Sequence, residues 1–98
     1  MQEIWRILAE ILVEPGDMAS GSTKGFMNIT TWADSTETAR AKIAGYLGTF
    51  KWHVISIEDA RPIDGDQDYG EEIEDMIGRT RSNPNAIILG TFHGYKEN

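Results

Sequence analysis

The sequence predicts an α+β fold: a two-layer α/β sandwich in which a four-stranded, mainly antiparallel sheet carries two helices on one face, in the order β-β-α-β-α-β. Three observations predict it. Residues 26–57 read as strand, helix and strand within about thirty residues, the length of a βαβ unit. Residues 3–14 supply a strand that can form a hairpin with the first of these. Residues 71–89 add a short amphipathic helix followed by an apolar run.

Residues 3–14 fit two patterns. As a helix, Glu3, Arg6, Glu10 and Glu14 share one side, with Ile4, Leu8, Ile11 and Leu12 largely opposite. As a strand, Trp5, Ile7, Ala9, Ile11 and Val13 form an unbroken apolar face, and the other face mixes Ile4, Leu8 and Leu12 with Arg6 and Glu10. The strand reading is preferred because the strand at 26–32 needs a neighbour, and Ile, Val and Trp favour extended backbone. Pro15-Gly16-Asp17 ends the element. The glycine- and serine-rich residues 16–25 are too long for a tight turn and read as a flexible hairpin tip. A phosphate-loop reading fails there, because Lys24 follows Thr23 instead of preceding the hydroxyl residue, and a strand follows instead of a helix.

Phe26-Met27-Asn28-Ile29-Thr30-Thr31-Trp32, rich in β-branched and aromatic residues, makes the second strand. Asp34 with Glu37 has capping-box spacing, and Ala39, Ile43, Tyr46, Leu47 and Phe50 place an apolar stripe on the helix that follows. Gly48 is its stop signal. Residues 52–57 form the next strand, and Pro62 limits its pairing. Asp68 with Glu71 repeats the capping spacing ahead of a helix with Ile73, Met76 and Ile77 on one face. Acids lie at its start and Arg79 and Arg81 at its end, as the helix dipole favours. Residues 86–89 are apolar on both faces, which predicts an interior last strand continuing through residues 90–95, and residues 96–98 are a polar tail. The element order is therefore ferredoxin-like, except that it opens with a hairpin where that fold has β-α-β.

At 98 residues the chain is expected to be one domain, residues 1–98, with one core. Without cysteine it has neither disulfides nor thiolate metal sites. The N-terminus lacks the pattern of a signal peptide, and apolar runs fall far short of the roughly 20 residues that span a bilayer, so a cytoplasmic location is expected. A net charge of −7 disfavours binding to nucleic acid or to an anionic membrane.

Three constellations are candidates for function. Nine of the sixteen carboxylates fall in residues 58–75: Glu58, Asp59, Asp64, Asp66, Asp68, Glu71, Glu72, Glu74 and Asp75, with Arg61 the only Lys or Arg among them. Such a patch fits a basic partner surface. Asp64, Asp66, Asp68 and Asp75 also echo a calcium loop, but Tyr69 stands where that loop needs glycine, and no metal or other cofactor is expected. His53 and His93 are both on strands and could serve a general base, but no nucleophile motif accompanies them, so no catalytic residue is assigned. Finally, if the aliphatic sets of these strands face the helices, alternation puts Phe26, Trp32 and Trp52 on a sheet face free of helices, a candidate dimer or ligand face; with the faces reversed, the tryptophans belong to the core.

Together these readings predict a small acidic, non-enzymatic protein-interaction domain of inhibitor, immunity or regulatory type, homodimeric and engaging a basic partner. The competing expectation is a small dimeric ferredoxin-like enzyme or ligand-binding protein. Its pocket would lie between sheet and helices, use His53 or His93 and be lined by Tyr95 or Trp52.

Overall fold

A computed structural model describes residues 2–19 and 21–95; the polar tail at 96–98 lies outside them. The elements are β1 (Glu3–Leu12), β2 (Lys24–Ala33), α1 (Thr36–Gly48), β3 (His53–Pro62), α2 (Glu71–Arg81) and β4 (Ile87–Gly94), giving an α+β fold. All three strand pairings are antiparallel, and the sheet order is β3-β1-β2-β4. The β1–β2 hairpin thus occupies the centre. β1 separates β2 from β3, so the predicted βαβ unit is split, its two parallel strands lying on either side of β1.

Residues 3–14 are a strand because β1 can bury an alternating face. Trp5, Ile7, Ala9 and Ile11, with Val13 just beyond the strand, are buried, and on β2 Met27 and Ile29 continue that surface. Ala39, Ile43 and Leu47, four residues apart, present one stripe of α1 to it. Each buried Ile or Leu contributes roughly 1.5–3 kcal/mol, so this face supplies most of the hydrophobic stabilisation. Tyr46 and Phe50, expected on the same stripe, are exposed instead. The residues contacting the sheet recur at four-residue spacing, which drifts away from Tyr46, and α1 ends at Gly48, so Phe50 lies beyond the helix and off its stripe.

The helices lie on opposite faces of the sheet, not on one. Thr30 and Thr31 are adjacent on β2, so their side chains point to opposite faces, and both are fully buried. The Thr30 hydroxyl bonds with that of Thr80 at 2.7 Å and lies 3.4 Å from the Met76 carbonyl oxygen, both on α2. Its neighbour Ile29 belongs to the apolar cluster beneath α1. A strand covered on both sides needs a helix on each. The same fact corrects the reading of β4. It is an edge strand, and it is apolar on both faces because each face meets covered surface: Ile87 and Leu89 pack with the α1 cluster, while Ile88 pairs with Thr30 beneath α2.

The helix starts also differ from the expected caps. Ser35, not Asp34, caps α1, accepting the Thr38 N–H at 3.1 Å, while Asp34 accepts the Thr38 hydroxyl at 2.8 Å. That hydroxyl holds the Asp34 carboxyl below its ordinary range. For α2 the cap is Gly70 at φ 88°, a conformation glycine takes without a Cβ clash, and Asp68 accepts the Gly70 N–H at 2.9 Å. α2 also lies very close to β4 at Gly90, where an added Cβ would sit 2.7 Å from Glu72 Oε1 and 3.0 Å from Met76 Sδ.

β3, the other edge, carries two bulges, with Ile55 and Glu58 each left without a partner on β1. Bulges of this kind interrupt the row of free backbone groups that an edge offers to other chains. No helix among the described residues is long and apolar enough to cross a membrane.

Candidate functional site

α2 covers only one end of its sheet face. Beneath it lie Ile4, Thr30 and Trp32. Beyond it the same face stays half-open and carries Arg6, Leu8, Glu10 and Leu12 from β1, Phe26 and Asn28 from β2, Ser56 and Asp59 from β3, and Tyr95 after β4. Glu10 stands near the centre, opposite Phe26 on one side and Ser56 on the other. Its carboxylate accepts hydrogen bonds from the Tyr95 hydroxyl and, at 3.4 Å, from the Ser56 hydroxyl. The Tyr95 ring lies 5.6 Å from that of Phe26. Both donors are neutral, so the charge of Glu10 remains open to a cation approaching from solvent.

The acidic residues do not act alike. Asp59 is partly buried between Arg6 (3.4 Å) and Arg61 (2.9 Å). Asp75 pairs with Arg79 at 3.8 Å along α2. Asp64 accepts the Asp66 N–H and Asp68 the Gly70 N–H, both at 2.9 Å, so these carboxylates shape their own loop. Among the described residues, no three His, Asp or Glu side chains converge on a point that could hold a metal ion. Glu72 accepts the Thr91 N–H at 2.8 Å and the Thr91 hydroxyl at 2.9 Å, clamping α2 to edge strand β4. Those two bonds, the backbone one first, together with the nearby charge of His93, hold its carboxyl below the usual carboxylate range. Glu58, Asp66, Glu71 and Glu74 are exposed.

The predicted aromatic face is not assembled. Phe26 is on the half-open surface. Trp32 shares that face but sits under the end of α2, where its indole N–H points to the carbonyl oxygens of Thr80 (2.8 Å) and Asn83 (3.1 Å). Trp52 is on the α1 side, packed against the core and donating to Asp17 Oδ2 at 2.7 Å. Its ring meets Phe50 at 5.0 Å, and Phe50 meets Tyr46 edge-on at 5.3 Å. The aromatic group that reaches solvent is therefore Tyr46, Phe50 and Trp52. Met18 also packs against the core, which ties down part of the hairpin tip that was expected to be flexible.

His53 and His93 project from the same sheet face but lie on its two edge strands, with β1 and β2 between them. Both are exposed. Trp52 and Tyr95 are on opposite faces and do not line one pocket. Glu10, Arg6 and Ser56 were not singled out from sequence. The available signal was the charge of Arg6 and Glu10 on a strand otherwise able to bury both faces. No family model, curated protein or solved structure matches this chain.

Proposed function

We propose that this chain is a small acidic, non-enzymatic interaction domain of inhibitor, immunity or regulatory type, engaging a basic surface on a protein partner. One observation carries the reading. Asp64, Asp66, Asp68, Glu71 and Glu74 are all exposed and, among the described residues, none is in an ion pair. Like charges held this close repel one another, and a basic partner relieves the repulsion while being steered to the site. Glu10 adds a carboxylate on the adjoining half-open face. The split β2-α1-β3 unit is a ferredoxin-like feature, while a helix on each sheet face departs from the two-layer arrangement of that fold. Self-association through Tyr46, Phe50 and Trp52 is part of the proposal, because exposed aromatic area favours burial against a second copy.

The test is kinetic. A partner recovered at low salt is mixed with the wild-type chain and with the Asp66→Asn, Glu71→Gln, Glu74→Gln triple variant, whose lost charges hold no hydrogen bond that shapes the fold. Association is expected to slow by about tenfold at low salt and to lose most of its salt dependence. An unchanged association rate would reduce the acidic segment to a solvated surface.

A further inference from the structure

We propose that the cleft between the end of β3 and the loop at 63–70 binds a small ligand through an anionic group, a carboxylate or a phosphate, held by Arg6 and Arg61. The two arginines are direct cross-strand partners, Arg6 on β1 and Arg61 on β3, with both side chains on the same sheet face. Like charges placed directly opposite across an antiparallel pair destabilise it. Asp59 lies between them and is bonded to both, so one negative charge serves two positive ones. In a chain of net charge −7, two arginines side by side break a local rule of sheet pairing, and Asp59 and Asp64 at the same cleft balance their charge, so what they offer a ligand is guanidinium N–H donors and not a net positive field. Rules of that kind are broken most often at functional sites.

The pair opens onto a cleft of about 440 Å³, lined also by Asp64, Gln67 and Tyr69. That volume lies within the range of small-molecule sites. Arg6 meets Asp59 through Nη1 and Arg61 meets it through Nε, so each guanidinium uses one nitrogen on Asp59 and keeps further N–H donors at the cleft. A guanidinium fork matches the two oxygens of a carboxylate or a phosphate. The far wall is held in place by the Tyr69 hydroxyl oxygen, which accepts the Asp64 N–H at 2.7 Å and keeps its own proton free to donate. Asp64 and Gln67 add acceptors there, so the ligand that fits carries hydroxyl or amino donors away from its anionic end. The cleft adjoins the acidic surface proposed for a protein partner and shares Asp64 with it, but Arg6 and Arg61 belong to the cleft alone, so Arg61→Gln tests it separately.

The experiment is a titration followed by NMR at constant ionic strength, with inorganic phosphate, acetate and glycine as separate probes and chloride as the balancing anion. Saturable shifts at the side-chain Nε–H signals of Arg6 and Arg61 and at the Tyr69 amide are expected for at least one probe. Which probe saturates first identifies the anionic group. Arg61 is 81% exposed, so Arg61→Gln leaves the fold in place, and it should weaken that binding by about tenfold. Arg61→Lys, which keeps the charge and loses the fork, should fall between. Binding that is equally strong in Arg61→Gln, or shifts that never saturate with any probe, would overturn the proposal.

Discussion

The two faces of the sheet are held to their helices by different physics. Beneath α1 the contact is mainly apolar: Ala39, Ile43 and Leu47 pack with Ile7, Ile11 and Ile29, and one hydrogen bond runs at its rim from the Lys42 ammonium to the Trp32 carbonyl oxygen. Beneath α2, where Met76 and Ile77 are buried, directional contacts are added, with Thr30 bonded to Thr80, Trp32 donating to the helix end, and Glu72 clamped on Thr91. Apolar burial scales with area and tolerates rearrangement, whereas a hydrogen-bonded contact depends on each partner being present. The α1 face is therefore complete and structural. The α2 face is only partly covered, and its open half carries the charged side chains Arg6 and Glu10.

The largest expected effect breaks the apolar side. Ile43→Ala removes a fully buried side chain from the centre of the α1 contact and should cost about 3–4 kcal/mol in urea denaturation. A loss below about 1 kcal/mol would mean that α1 contributes little to the core. On the other face, Thr80→Val leaves the Thr30 hydroxyl only the Met76 carbonyl at 3.4 Å and should cost about 1–2 kcal/mol. The Thr30→Val, Thr80→Val double variant should cost clearly less than the sum of its parts, because neither hydroxyl is then left unpartnered. Simple additivity in that cycle would say that the two threonines are not a bonded pair.

This contrast also explains how much was legible in the sequence. The strands, both helices and their order are carried by apolar periodicity, except that β1, whose residues also fit a helix, is read as a strand because β2 needs a neighbour. The side taken by α2 was not legible, because Thr30 and Thr80 meet through hydroxyl groups that no hydrophobic pattern marks. For the same reason Trp32 read as exposed aromatic area, when its N–H needs the carbonyl oxygens at the end of α2. The edge position of β4 was hidden because an apolar strand looks alike whether neighbouring strands or helices on both faces cover it. At the site, the acidic stretch stood out by composition. Glu10 and Arg6 did not, since their roles depend on partners far away in sequence: Tyr95 for Glu10, and Asp59 and Arg61 for Arg6.

The smallest effect expected is electrostatic. The carboxyl of Glu72 is held below its ordinary range in the folded chain. Its stabilising contribution is therefore present above the unfolded carboxylate pKa, about 4.3, and is lost as pH falls through the lower folded value. Wild-type melting temperature should thus fall more steeply between about pH 5 and 3 than that of Glu72→Gln. Parallel curves would contradict the clamp on Thr91.

The placement of the helices is tested most directly by methyl-to-methyl NOEs in a selectively labelled sample. The account predicts cross-peaks from Thr80 to Thr30 and from Ile43 to Ile29, with none from Ile43 to Ile77, because the sheet stands between the helices. A strong Ile43–Ile77 cross-peak would put both helices on one face and contradict the account at its root.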